Sequence, residues 1–162
     1  MKPKLLVITG PTASGKTGAA IRLAQAVGGE IVGCDSMQIY RGMDIGTGKV
    51  TTAETCGIAH HMIDVVSPDC AYSVGQYKAD AARCIADIVS RGRVPILVGG
   101  TGLYINALLS GMNFGEAGKT PAIREQLLEE VERYGAAEMY RRLVEVDPQS
   151  AARIHPNDVK RV

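Results

Sequence analysis

The chain has 162 residues, 46% of them hydrophobic and 22% charged, with a formal net charge of +1. That is enough for one core of ordinary size, with or without an appended piece. No run approaches the roughly 18 apolar residues of a membrane span, and the near-neutral charge neither demands nor excludes a polyanionic partner.

Met1-Lys2-Pro3-Lys4 leads straight into "LLVITG", which is strand length and carries no small-residue cleavage site. No signal peptide is read there, and a cytoplasmic protein is expected. "KLLVIT" (4–9) is the first strand, closed by Gly10. Residues 16–27 follow as a helix with Ala20, Leu23, Ala24 and Val27 on one face and Gly28-Gly29 as its stop. "EIVGC" (30–34) is a second strand, and the Gly- and Thr-rich stretch 41–58 has no period, so it reads as a long functional loop. "HMIDVV" (61–66) is a candidate short strand. Val74, Tyr77, Ala81, Ile85 and Ile88 recur at helical spacing up to Arg91, with Gly92 ending the helix. "VPILV" (94–98) is a third core strand, closed by Gly99-Gly100-Thr101-Gly102, and a helix is expected over Leu103–Leu109.

Beyond Gly111 the texture changes. "GMNFGEAGKTP" reads as a linker, residues 121–146 as charged helix, and further helix starts stand at Asp147-Pro148 and at Asn157. The alternation of strands and helices predicts an α/β core with a mostly parallel sheet over 1–113, followed by an all-helical module over 114–162. The chain ends at Arg161-Val162, partway into what reads as a fresh helix, so a partial chain is expected.

"GPTASGKT", Gly10 to Thr17, fits G-x-x-x-x-G-K-[ST] between a strand and a helix, the context this motif requires. Gly10 and Gly15 let the backbone of Pro11, Thr12, Ala13 and Ser14 curl with its N–H groups inward, and the helix start adds its positive end. Lys16 supplies a point charge for an outer phosphate and Thr17 a hydroxyl suited to Mg²⁺. A di- or triphosphate ligand is therefore expected. Kinases and NTPases add a metal-associated acid at another strand end, yet "VPILV" ends without one and Asp64 lies inside its run. Asp35 is the clearest acid at a strand's carboxyl end; holding a metal, capping a helix and taking a proton all remain open to it on pattern alone. Thr101 is equally a helix cap or an anion donor in a glycine nest. His60 and His61 lack partners at ligand spacing and are read as structural. Among the tyrosines, Tyr72, Tyr77, Tyr104, Tyr134 and Tyr140 are read as packing, with Tyr40, beside the acid, the exception. Arg141-Arg142 and Lys160-Arg161 default to solvated helix faces. The four cysteines, Cys34, Cys56, Cys70 and Cys84, show neither C-x-x-C pairing nor zinc spacing, so reduced thiols are expected.

"GPTASGKT", "DSMQIYRGMDIGTGK", "HHMIDVVSPDCAYSVGQY", "GRVPILVGGTGLYINALL" and "IHPNDVKRV", in this order and spacing, closely resemble the tRNA dimethylallyltransferases (tRNA isopentenyltransferases) of bacteria. The resemblance implies a P-loop NTPase-like sheet with a helical insertion. It also implies transfer of a dimethylallyl group from its diphosphate to N6 of the adenine just 3′ of the tRNA anticodon. On that resemblance Gly10–Thr17 cradles the leaving diphosphate, with Thr17 acting through Mg²⁺. Asp35 is the general base, and Thr101 bonds the diphosphate near the breaking bond. Ser36, Met37 and Gln38 lie against the flipped-out base, while Arg124, Lys160 and Arg161 meet the tRNA. Members run to about twice this length, so a piece of this size is expected to bind phosphate and to be a weak or inactive catalyst. A monomer is expected. "GTGKVTTAE" departs slightly, members more often having Ala at Gly48 and Pro at Val50. A P-loop small-molecule kinase using ATP and Mg²⁺, and a nucleotide-binding module without chemistry, are the other readings.

Overall fold

The computed structural model describes residues 4–110 and 121–162, and the chain separates into two compact units, Met1–Asn113 and Phe114–Val162. The linker reading over 111–120 lies outside the described residues.

The first unit alternates as expected: β1 (Leu6–Thr9), α1 (Lys16–Val27), β2 (Gly29–Gly33), β3 (His60–His61), α2 (Val74–Ser90), β4 (Val94–Gly99) and α3 (Gly102–Leu109). The four strands form one sheet in the order β1-β4-β2-β3, every pair parallel. Side chains alternate across a strand, so each central strand feeds two cores. Ile31, Ile96 and Val98 pack with Ala20, Ile21 and Ala24 of α1 on one face. Val32 and Leu97 pack with Tyr77, Ala81, Ile85 and Ile88 of α2 and with Tyr104 of α3 on the other. Burial on both faces is why these strands read as unbroken apolar runs.

Helix α2 starts at a capping box. The Ser73 hydroxyl accepts from the Gln76 amide at 3.2 Å while the Ser73 amide donates to the Gln76 side chain at 2.8 Å. On the other flank, α1 buries Ile21 rather than the expected Val27, which is 40% exposed one residue before the Gly28 cap. The strand expected over 61–66 stops after two residues, because Met62 and Asp64 take positive φ (62° and 56°) that no strand accommodates. Beyond them an isolated parallel bridge pairs Tyr40 with Val66, and the Asp64 and Val65 amides donate to the Gln38 (3.1 Å) and Ile39 (2.7 Å) carbonyls.

Below this region lies a buried ion-pair cluster. Glu30 is 6% exposed, and the Arg91 guanidinium donates to both its oxygens while His61 Nε2 lies 2.7 Å from Oε2. These partners, Arg91 first, hold the Glu30 carboxyl down at about 2 against the opposing effect of burial.

In the second unit, the charged stretch expected as one helix is two, α4 (Pro121–Tyr134) and α5 (Ala136–Val146). Gly135 separates them at φ 84°, a conformation open to glycine at little cost. Arg142 joins the two helices through Glu130 (2.6 Å). Asp147 accepts from the Ser150 amide at 2.9 Å and, with Pro148, starts α6 (Pro148–Ala151) as the sequence suggests. The start expected at Asn157 yields only turns, closed by Asp158 accepting from the Arg161 and Val162 amides.

Candidate active site

In an all-parallel sheet the carboxyl ends of the strands emerge on one edge, where open α/β sheets bind ligands. Two of them, those of β2 and β4, are fastened together here. The Cys34 amide donates to the Val98 carbonyl (2.7 Å), the Thr101 amide returns to the Cys34 carbonyl (3.2 Å), and the Ser36 amide donates to Thr101 Oγ1 (3.0 Å). Glycine is required at 99. A Cβ there would lie 2.9 Å from Cys34 Cα and closer still to its carbonyl. From behind, the buried Tyr77 hydroxyl donates to the Gly33 carbonyl at 2.9 Å, and the Tyr77 ring stacks on Tyr104 at 4.0 Å.

The loop after β1 turns sharply, with Ala13 (φ 62°) and Gly15 (φ 77°) both left-handed. Gly15 caps α1 without a side-chain acceptor, leaving the first-turn amides of the helix for another partner. Lys16 Nζ folds over the loop, donating to the Pro11 carbonyl and reaching Ser14 Oγ at 3.4 Å. Thr12 through Thr17 line a cleft of about 470 Å³, which continues past Asp35, Gln38, Gly99 and Gly100 to His60.

Asp35 closes an Asx turn, Oδ1 accepting from the Met37 amide at 2.9 Å. No helix follows, so its local structural role is to fix this turn and not to cap a helix. Asp35 also lines a second cleft of about 630 Å³, formed with Thr12, Met37 and residues 42–47. Thr12, Asp35 and Thr47 are common to both clefts. Thr101 makes no side-chain cap to α3 and uses its hydroxyl oxygen as the acceptor for Ser36.

The structure spreads the remaining site residues. Met37 lines the larger cleft and Gln38 the smaller, but the Gln38 amide nitrogen is bonded to the Thr47 carbonyl (2.9 Å). Ser36 lines neither, its amide serving as the tie to Thr101. Asp64, the alternative acid, pairs with Lys49 Nζ at 2.6 Å and lines neither cleft. His61 serves Glu30, while the His60 Nδ1 faces the Ile58 carbonyl at 2.8 Å. All four cysteines are free thiols, with burial pushing Cys34 up to about 11. In the helical unit, Arg124, Lys160 and Arg161 line one groove with Ile123, Leu127 and Leu128.

Sequence reasoning named the 41–58 stretch as functional but not the residues Gly42–Thr47 that wall the second cleft. The signal available was the aperiodic Gly/Thr composition; the contacts themselves depend on folding back onto Gln38.

Comparison with known proteins decides the family. The family model described as IPP transferase matches residues 38–162. The chain belongs to the IPP transferase family. It is 48% identical over its whole length to the tRNA dimethylallyltransferase of Oceanobacillus iheyensis, covering 52% of that protein. It is 50% identical over 161 residues to the Geobacter sulfurreducens tRNA dimethylallyltransferase, covering 51%. Among solved structures, the full-length tRNA isopentenylpyrophosphate transferase of Bacillus halodurans matches 99% of this chain at 45% identity and TM-score 0.70, with 53% of that chain covered. A eukaryotic dimethylallyltransferase acting on tRNA matches 99% at 32% identity and TM-score 0.86, with 40% covered. The chain thus spans about half the length of the curated relatives it matches.

Proposed function

We propose that this chain carries the diphosphate- and adenine-facing part of a tRNA dimethylallyltransferase. The observation that carries the reading is the position of Asp35 where two clefts meet, one walled by residues 12–17 and the other by residues 42–47. Relatives bearing that enzyme name across the whole chain favour prenyl transfer over a metabolite kinase.

In this reading Gly10–Thr17 is a P-loop that holds the diphosphate of dimethylallyl diphosphate. The first-turn amides of α1 and Lys16, released from Pro11, neutralise the leaving group. The allylic C–O bond breaks with its electron pair leaving on the diphosphate, a bond forms from N6 of the target adenine to that carbon, and the N6 proton passes to Asp35. An aromatic amine is a poor nucleophile until a carboxylate accepts its proton. The Asx turn engages Oδ1 and leaves Oδ2 for this role. Thr101 Oγ1 accepts from the Ser36 amide and donates only a long 3.5 Å bond to Ser36 Oγ, which it exchanges for the diphosphate in this reading. The adenine leaves its stack to enter the larger cleft, with Met37 as an apolar wall and Gln38 holding the loop beyond.

Mg²⁺ fits the donors present. Thr17 offers a hard hydroxyl oxygen in the diphosphate cleft, and this ion is bound through few protein ligands plus substrate phosphates. When bound it would neutralise diphosphate charge. Residues 114–162 serve as the helical insertion, with Arg124, Lys160 and Arg161 toward tRNA, and the protein works as a cytoplasmic monomer.

The test is incorporation of labelled dimethylallyl from its diphosphate into tRNA by the full-length protein. Asp35→Asn is expected to lower transfer about 10²–10⁴-fold while leaving diphosphate binding unchanged. Near-normal transfer by Asp35→Asn would remove the general-base assignment. Consumption of ATP on a small metabolite, without tRNA labelling, would favour a kinase.

A further inference from the structure

Ile45 is 99% exposed, the most of the large apolar side chains described (Val146 follows at 80%), so folding draws no burial from it. It does not sit on a loose tip. The Gly48 amide donates to the Ile45 carbonyl (3.3 Å), and the Thr47 hydroxyl donates to the Met43 carbonyl. Lys49, its side chain only 5% exposed, ties Asp44 (2.8 Å), Asp64 (2.6 Å) and the Tyr40 carbonyl (2.6 Å) to one ammonium. Gln38 bonds the far end of the loop at the Thr47 carbonyl. An aliphatic side chain is therefore held out into solvent by a turn fastened on both sides. That turn forms the wall of the cleft that contains Asp35.

We propose that Ile45 is a wedge that enters the RNA base stack beside the adenine drawn toward Asp35. The inference rests on the adenine-transfer reading above and names a residue that acts on the RNA around the target. A base that leaves its stack opens a gap whose apolar faces are exposed to water. Proteins that unstack nucleic acid fill such gaps with Ile, Leu, Met or Phe inserted between bases. Ile45 has the chemistry and exposure for this, and the loop's fastenings keep it from collapsing into the cleft. Lys49 is then a positioning residue, holding the loop without touching the RNA.

The probe is an anticodon stem-loop RNA with 2-aminopurine at the target position, which brightens on unstacking and has no N6 amine to alkylate. Dimethylallyl transfer to unmodified RNA is measured in parallel. Wild type is expected to brighten the probe. Ile45→Ser is expected to weaken the brightening and raise KM for RNA roughly tenfold, the order set by losing the burial of one aliphatic side chain, with KM for dimethylallyl diphosphate unchanged. Ile45→Leu should restore both. Wild-type brightening and transfer matched by Ile45→Ser would overturn the wedge and leave the transfer reading standing. No brightening and no transfer by the full-length wild-type protein would overturn both. A lowered melting temperature of free Ile45→Ser would place the side chain against protein and also overturn the wedge.

Discussion

Replacing Gly99 by alanine tests how the strand ends make the site. A Cβ at 99 meets the backbone of Cys34 at under 3 Å, and backbone cannot rotate aside as a side-chain tip can. The end of β2 would have to withdraw from β4 by roughly an ångström to restore ordinary contact. Two hydrogen bonds cross that gap, Cys34 to Val98 at 2.7 Å and Thr101 to Cys34 at 3.2 Å. At about 1 kcal/mol each, with about 1–3 kcal/mol for overpacking, the expected loss is about 3–5 kcal/mol. Urea unfolding of Gly99→Ala reads this as a lower midpoint at similar slope. Gly102→Ala is the control: nothing lies within 4 Å of its Cβ and it opens α3, so it should be neutral or slightly stabilising. If Gly99→Ala unfolds within 1 kcal/mol of wild type, the close approach does not hold the strand ends and the reasoning from it fails.

Two further outcomes follow from side chains away from that contact. Glu30 has a carboxyl held down at about 2 against an ordinary 4.5, so the unfolded chain binds more protons between those values. Stability is then full above about pH 4.5 and falls as pH drops toward 2, by on the order of 2–3 kcal/mol. Glu30→Gln should flatten that acid dependence in equilibrium unfolding, and an unchanged slope would discount the Arg91 pairing. Lys16→Ala should weaken inorganic diphosphate binding about 10–100-fold by calorimetry, with the melting temperature retained because its main partner is the loop it covers. Equal affinity in the two proteins would take Lys16 out of the phosphate role.

Where the chain's local pattern and its packing agree, the elements were legible. Tyr77, Ala81, Ile85 and Ile88 announce α2 and are its buried residues. The apolar runs of β2 and β4 are central strands covered on both faces. The place of Asp35 on the clefts was legible because ligands of open parallel sheets bind at the strands' carboxyl ends. The premature end of β3 was not, since nothing in the residue types Met62 and Asp64 announces a positive φ; the surrounding contacts impose it. The Glu30–Arg91 pair joins residues 61 apart in sequence, and only the fold brings them together. The boundary at Gly135 inside the charged stretch was not legible, because a lone glycine does not by itself distinguish a tolerated interior residue from a helix end.

The bond from the Ser36 amide to Thr101 Oγ1 joins the residue after the acid to the hydroxyl assigned to the leaving group. In the proposed transfer, one of these neighbours stands beside the bond being made and the other beside the bond being broken. The span between them is a short internal ruler of one hydrogen bond and a few covalent links, set before either substrate arrives. In that reading, the spacing between proton removal and diphosphate departure is set by the protein and not by the substrates. Thr101→Ser would preserve that length, and Thr101→Val would let the two events drift apart.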